Sequence, residues 1–217
     1  MGGDTVQPVL TIQSSVAYGH VGNSSAAFAL QRLGRDVIRI DTVRFSNHPA
    51  HGGFSGEPAS ASEIDGLISG LSVRGFLAGI SAVLSGYLGT FENTQAVKRA
   101  VLQTKKSNPD SIYCLDPVIG DHPKGQFVAK DIPRAIASDL LPLADIITPN
   151  AFELEVLSGL TVQSPSDAIK AARVLLKQSR LQIVVTTGLH LQNDVITVAT
   201  TPEQAWQVCT PRIDAPA

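Results

Sequence analysis

Short apolar, β-branched runs recur along this chain, and longer segments with helical spacing separate them. The runs fall at residues 9–12, 36–40, 82–85, 111–115, 146–148 and 183–187, with helical patterns at 24–33, 92–106 and 166–178. This alternation constrains the fold more than any other feature. It predicts parallel strands joined by right-handed crossovers, with helices on both faces of the sheet. In the last helical segment Ala168, Ala171, Ala172, Leu175 and Leu176 form an apolar stripe. Ser164-Pro165 opens that segment well, because a hydroxyl caps and a proline fits the first turn. Runs at 195–199 and 205–209 predict an antiparallel pair on the sheet edge. No repeat, low-complexity tract or linker divides the sequence, so residues 1–217 read as one α/β domain. Its 43% apolar content is enough for a substantial core.

In open α/β sheets ligands gather beyond the carboxyl ends of the strands. The polar and glycine-rich segments fall at those ends: 14–23, 45–56, 85–89, 116–125, 149–153 and 186–188. Six loops converging on one edge make that edge the place to seek chemistry.

Charge narrows the partners. Seventeen Lys and Arg against 19 Asp and Glu, with Lys105-Lys106 as the longest basic cluster, exclude a nucleic-acid ligand recognised through its phosphates. Cys114 and Cys209 are too few for a disulfide-built scaffold, and Cys114 lies in an apolar run where a buried reduced thiol is expected. The N-terminus shows no basic region followed by an apolar core, and Val6 stands where a myristoylation signal needs Ser or Thr. No apolar stretch approaches the ~18 residues of a membrane span. A soluble, cytoplasmic protein is the expectation, with no membrane partner.

Two segments carry chemistry-bearing side chains. The first, Gln13-Ser14-Ser15-Val16-Ala17-Tyr18-Gly19-His20-Val21-Gly22-Asn23-Ser24, has glycines for sharp turns and Asn23 or Ser24 to cap the next helix. It matches neither the dinucleotide nor the Walker A pattern, and a plain strand-to-helix turn is the competing reading. The second, Thr42 to Pro49, combines Phe45, Asn47 and His48. An aromatic face beside hydrogen-bonding groups suits a small planar heteroaromatic ligand.

With Leu84-Ser-Gly-Tyr-Leu-Gly89, these segments resemble the substrate-side motifs of pyridoxal kinases, in the ribokinase-like superfamily. Cys114-Leu-Asp-Pro-Val-Ile-Gly-Asp121 and Thr148-Pro-Asn-Ala-Phe-Glu153 resemble that family's nucleotide-side motifs. The resemblance implies a three-layer α/β/α fold with a mostly parallel central sheet, and ATP-dependent phosphorylation of pyridoxal. It further implies Mg²⁺ and ATP, room for a monovalent cation, and a homodimer. By similarity Ser14 meets the pyridine end of the substrate, Val21 and Phe45 wall the ring, His48 lines the pocket and Tyr87 closes it. Asp116, Asn150, Glu153 and Thr186 or Thr187 take the nucleotide side, with Asp116 and Glu153 as the metal carboxylates. Asp121, His122, Lys124 and Gly125 resemble a lid over the phosphates, where exclusion of water limits wasteful hydrolysis. The plain readings of two of these residues are local: Asp116 ends a strand before Pro117, and Asn150 caps a helix.

The sequence departs from the family at two points. Pro49 stands where a hydroxyl-bearing Thr is expected, which removes a hydroxyl and a backbone donor and bears on vitamer preference. The Gly-x-Gly-Asp motif, whose glycine amides and Asp would stabilise the transferred phosphoryl group and take the hydroxyl proton, does not occur. The expected catalytic Asp would follow Ala217, Asp214 is expected only to end the last strand, and the fold is expected to be C-terminally incomplete, with one sheet face exposed. Two rival readings follow: a catalytically inactive protein or fragment that binds vitamin B6, and a related hydroxymethylpyrimidine or sugar kinase.

Overall fold

The structure, a computed structural model, describes residues 7–191 and 193–213; the stretch 1–6 and Asp214, on which expectations were placed, lie outside the described residues. In chain order the elements are β1 (Val9–Tyr18), α1 (Asn23–Arg32), β2 (Val37–Asn47), β3 (Gly56–Pro58), α2 (Ala61–Val73), β4 (Ala82–Ser85) and α3 (Phe91–Ser107). Then come β5 (Ile112–Leu115), β6 (Gly120–Asp121), β7 (Gly125–Gln126), α4 (Ile132–Ala135), β8 (Ile146–Ile147), α5 (Ala151–Ser158) and α6 (Pro165–Gln178). The chain closes with β9 (Ile183–Leu191), β10 (Asp194–Thr200) and β11 (Ala205–Pro211). Nine strands form one sheet in the order β11-β10-β9-β8-β5-β4-β1-β2-β3, while β6 and β7 make a separate hairpin.

The six central strands, β9-β8-β5-β4-β1-β2, pair in parallel, and β3, β10 and β11 add antiparallel edges. Right-handed crossovers put α1, which steps from β1 to β2, on one face and the remaining helices on the other. The second face is well packed. Val83, Tyr113, Leu115, Ile147 and Val184 are buried there in one cluster with Ile64 and Ile68 of α2, Val97 and Val101 of α3, Leu154 of α5 and Leu175 of α6. On the α1 face their strand neighbours Leu84, Cys114, Ile146, Ile183 and Val185 are only half-buried. Cys114 is reduced and half-buried, and burial pushes its thiol up to about 11.

Helix α6 starts as its sequence predicts: the Ser164 hydroxyl accepts from the Asp167 amide at 3.2 Å, Pro165 sits in the first turn, and the Ala/Leu stripe faces inward. Several boundaries differ from expectation. β1 runs to Tyr18 rather than ending at Ile12, and β2 continues to Asn47, because Ser15 to Tyr18 pair with Arg44 to Asn47 beyond a bulge. Polar residues in these extensions carry loop composition but answer one another across a ladder. Helix α2 was not expected; its glycines and serines dilute the 3.6-residue pattern around Ile64 and Ile68. Asn23 and Ser24 do not cap α1: Gly22 takes that position without a side-chain bond, and Asn23 turns into the core.

At the amino end of the strands, away from the ligand edge, Asp145 fastens the base of the sheet. Its carboxylate accepts from Lys105 Nζ at 2.6 Å and the Tyr113 amide at 2.8 Å, and pairs with Arg180 at 2.9 Å. Burial pushes this carboxyl up, but those three partners outweigh it and hold it below the ordinary Asp range. Its stabilising effect is therefore present above the unfolded Asp value and is lost as pH falls through the lower folded value. Asp145→Ala should cost about 3 kcal/mol in urea unfolding at pH 7 by stranding buried donors, with a smaller difference at pH 3. An equal loss at both pH values would contradict the assignment.

Candidate active site

On the ring side, β1 and β2 project past the sheet and carry their polar residues with them. Gly22 adopts φ 55° and lies so tightly on Ser14 that an added Cβ would overlap the Ser14 carbonyl. Only glycine lets the turn fold back there. Phe45 stacks on Phe54 with ring centroids 4.3 Å apart at 37°. His48 lies outside this pair: its Nδ1 accepts from the Ala50 amide at 3.2 Å, and its ring meets His51 edge-on at 6.2 Å. That bond caps a short 3₁₀ turn, Pro49–His51, whose first position is Pro49. The proline that departs from the family pattern thus occupies a place where a missing N–H costs little. A cleft of about 500 Å³ takes in Phe45 with Ser15, Val16, Ala17 and Arg44, and it is broadly open to solvent. Tyr87, half-buried in the loop after β4, has its phenol pushed up by burial.

On the other side, the loops after β5 and β8 meet through a buried carboxylate. Asn150 caps α5 by accepting from the Glu153 amide, and Glu153 Oε2 accepts in return from the Asn150 amide, each at 2.9 Å. This capping box was only half expected, since Asn150 alone was read as the cap. The second oxygen of Glu153 accepts from the Ile119 amide at 2.9 Å, and Asn150 Nδ2 donates to the Gly120 carbonyl at 2.8 Å. Asp116 follows β5 directly and accepts from the Thr148 hydroxyl at 3.2 Å. Burial pushes Asp116 up to about 6 against the pull of that bond. Glu153 is pushed up to about 7, first by burial and also by the charge of Asp116, although the Asn150 and Ile119 amides pull the other way.

The two threonines part company. Thr187 is half-buried beside Asn150 and donates its amide to the Pro149 carbonyl at 3.0 Å, whereas Thr186 points into the core with no partner for its hydroxyl. Strand alternation makes Thr187 the one that faces the ligand edge. The predicted lid residues lie in and around the β6-β7 hairpin. Asp121, His122 and Lys124 are exposed, Gly125 is half-buried, and His122 Nε2 lies 2.9 Å from Glu155 Oε2 with its ring edge-on to Phe152. Among the described residues no cluster of three or more His, Cys, Asp or Glu could hold a metal alone, and no helix is long and apolar enough to cross a membrane.

A mostly parallel sheet with a coupled acid pair at its carboxyl edge, a hairpin beside it and aromatic groups on the far strands defines a ribokinase-like small-molecule kinase. The phosphomethylpyrimidine kinase model matches residues 77–217. The pyridoxal kinase PdxY of Deinococcus radiodurans is 42% identical over 96% of this chain and 74% of its own length. That of Rubrobacter xylanophilus is 41% identical over 94% and 71%. The crystal structure of pyridoxal kinase from Entamoeba histolytica superposes with a TM-score of 0.90 at 27% identity, over 98% of this chain and 76% of that one. A Leishmania donovani pyridoxal kinase in complex with ADP and pyridoxine gives 0.88 at 28% identity, over 96% and 76%. The chain belongs to the pyridoxal kinase family.

Sequence reasoning missed four polar residues that shape the site: Thr148, and the buried Asn23, Thr42 and Asn93. Each sits inside or beside a motif already noticed, Thr42 at the bulge of β2 and the others at strand or helix ends, with no local signature of its role. The acid pair has a consequence for stability. Because both folded values are raised, the folded chain holds more protons than the unfolded chain between roughly pH 4 and 7, so ligand-free stability falls as pH rises across that window. Asp116→Asn should flatten this dependence and raise stability at pH 7.5 by about 1–3 kcal/mol. Thermal melts from pH 4.5 to 8 check this, and an unchanged slope would contradict it.

Proposed function

We propose that residues 1–217 act as one kinase domain that transfers the γ-phosphoryl group of ATP to the 5′-hydroxymethyl oxygen of pyridoxal, with pyridoxine and pyridoxamine as further acceptors. The observation that carries this reading is the division of one sheet edge into two halves. Ser14, Val21, Phe45 and Tyr87 lie on or after β1, β2 and β4, and Asp116, Asn150, Glu153 and Thr187 lie on or after β5, β8 and β9. A planar substrate on the first half and a nucleotide on the second place an acceptor hydroxyl in line with the γ-phosphate. The substrate oxygen forms the new O–P bond, the bond from the γ-phosphorus to the bridging oxygen breaks, and ADP leaves. Relatives named as pyridoxal kinases, one of them with ADP and pyridoxine bound, support the assignment.

The donor set fits Mg²⁺. Glu153 is buried and Asp116 half-buried, two mutually repelling carboxylates, and Asp116 has an oxygen left over from its Thr148 bond, while both oxygens of Glu153 hold backbone amides. Asp116 would hold the ion with phosphate oxygens and water, Glu153 standing behind it, and the ion supplies neutralisation of the phosphate charge. Glu153 also fixes the Ile119 and Asn150 amides, which keeps the phosphate-side loop shaped before the nucleotide arrives. The His122–Glu155 pair holds the hairpin against α5, from which it can swing over the phosphates. The hydroxyl proton needs an acceptor, and the Gly-x-Gly-Asp that would bring one does not occur in the sequence. A second reading is that the chain binds vitamin B6 without turning it over. A homodimer and a cytoplasmic location complete the proposal, on the resemblance alone.

Two assays separate the readings: pyridoxal 5′-phosphate formation from pyridoxal and MgATP, and calorimetric binding of pyridoxal. The kinase reading expects turnover, and Asp116→Asn should lower it at least ~10²-fold while leaving pyridoxal binding in place. Binding without turnover would select the second reading, and neither binding nor turnover would refute both.

A further inference from the structure

Thr42 has no role in the reading above, yet it is fully buried at the point where the two ring-side segments touch. It lies in the β2 bulge: between the pairs Gln13–Asp41 and Ser15–Arg44, β2 carries one more residue than β1. A bulge turns the strand beyond it, and here the strand beyond carries Phe45 and Asn47. From the bulge the Thr42 hydroxyl donates to the Tyr87 carbonyl at 2.6 Å. The Thr42 carbonyl accepts from the Ala59 amide at 2.9 Å and from Asn93 Nδ2 at 3.3 Å. Asn93, itself fully buried, shares that amide group with the Leu88 carbonyl at 3.0 Å and the Ala59 carbonyl at 3.1 Å. Gly89, at φ 79°, lets the loop pass Val43 where an added Cβ would come within 2.7 Å of its Cγ1.

The loop that carries Tyr87 is thus tied to β2 by its backbone, and the hydroxyl of Thr42 is the one side-chain bond made to Tyr87 itself among the described residues. The Tyr87 ring is left free to meet a ligand. We infer that Thr42 is a positioning residue that fixes Tyr87 relative to Phe45, and so sets the spacing of the two walls between which a planar ring is held. The inference rests on the pyridoxal reading for the identity of that ring. Nothing in the geometry joins Thr42 to Asp116, Asn150 or Thr187, so its effect is confined to the ring side.

The test is calorimetry on the full chain with pyridoxal and, separately, with a magnesium complex of a non-hydrolysable ATP analogue. Thr42→Val keeps the shape and removes the hydroxyl; it should weaken pyridoxal binding on the order of tenfold and leave the nucleotide analogue unchanged. Thr42→Ser, which keeps the donor, should restore pyridoxal binding to within about twofold. Amide exchange at residues 87–89 should quicken in Thr42→Val and not in Thr42→Ser. Should Thr42→Val fold poorly, Thr42→Ala supplies the same comparison. Wild-type pyridoxal binding by Thr42→Val, or equal weakening of both ligands, would overturn the positioning role. Failure of the unaltered chain to bind pyridoxal would instead refute the vitamin B6 reading on which it rests.

Discussion

The site depends on one buried carboxylate. Glu153 accepts from Asn150 at the head of α5 and from Ile119 in the loop after β5, so a single side chain joins the carboxyl ends of two neighbouring strands. A carboxylate buried to 4% exposure would be costly alone, and its bonds to backbone amides offset that cost. Burial, and after it the charge of Asp116, still push its titration up to about 7. Asp116, Gly120 and Asn150 take their places from this junction, and the hairpin starts from it.

The ring side is built on a different principle. There Ser14 and Phe45 ride on strands, because β1 and β2 extend together beyond the sheet and answer each other across a bulge, while Val21 and Tyr87 lie in the turns that follow. Buried polar side chains hold the extension: Asn23 donates to the Ile40 carbonyl at 2.9 Å and to Asp41 Oδ1 at 2.7 Å, and accepts from the Thr11 hydroxyl at 2.8 Å. Thr42 and Asn93 do the same for the loop after β4. Buried polar networks of this kind fix geometry more than they add stability, and here only Asn93 Oδ1 among these side-chain atoms is left without a partner. The two halves of the edge thus differ: one is joined through the Glu153 carboxylate, the other through a spread of side-chain bonds from Asn23, Thr42 and Asn93.

Much of this was legible in the sequence where periodicity and local chemistry agree. Residues 82–85 were recovered to the residue, α6 from Ser164-Pro165 and its alanine stripe, and the antiparallel edge from two short apolar runs. The extension of β1 through Ser14 and Ser15 was not, since those residues have the composition of a loop and become strand only by pairing 29 positions downstream, Ser15 with Arg44. The capping role given to Asn23 failed for a related reason: a tertiary donor, the Thr11 hydroxyl, takes the Asn23 Oδ1 that a local amide would have used. For the site, the sequence located the acid residues and the Phe45 segment. Burial, which sets Thr42 apart from other threonines and Thr186 from Thr187, has no signature in one sequence.

The central claim is that a planar B6 ring and a nucleotide share this edge, one on each half. A crystal structure of the chain with pyridoxal and a magnesium–ATP analogue tests it most directly. The account predicts the pyridine ring between Phe45 and Tyr87, its hydroxymethyl group directed toward the Asp116 side, and the phosphates beside Asn150 and Thr187. Pyridoxal seated away from Phe45 and Tyr87, or phosphates away from the Asp116–Glu153 junction, would contradict it.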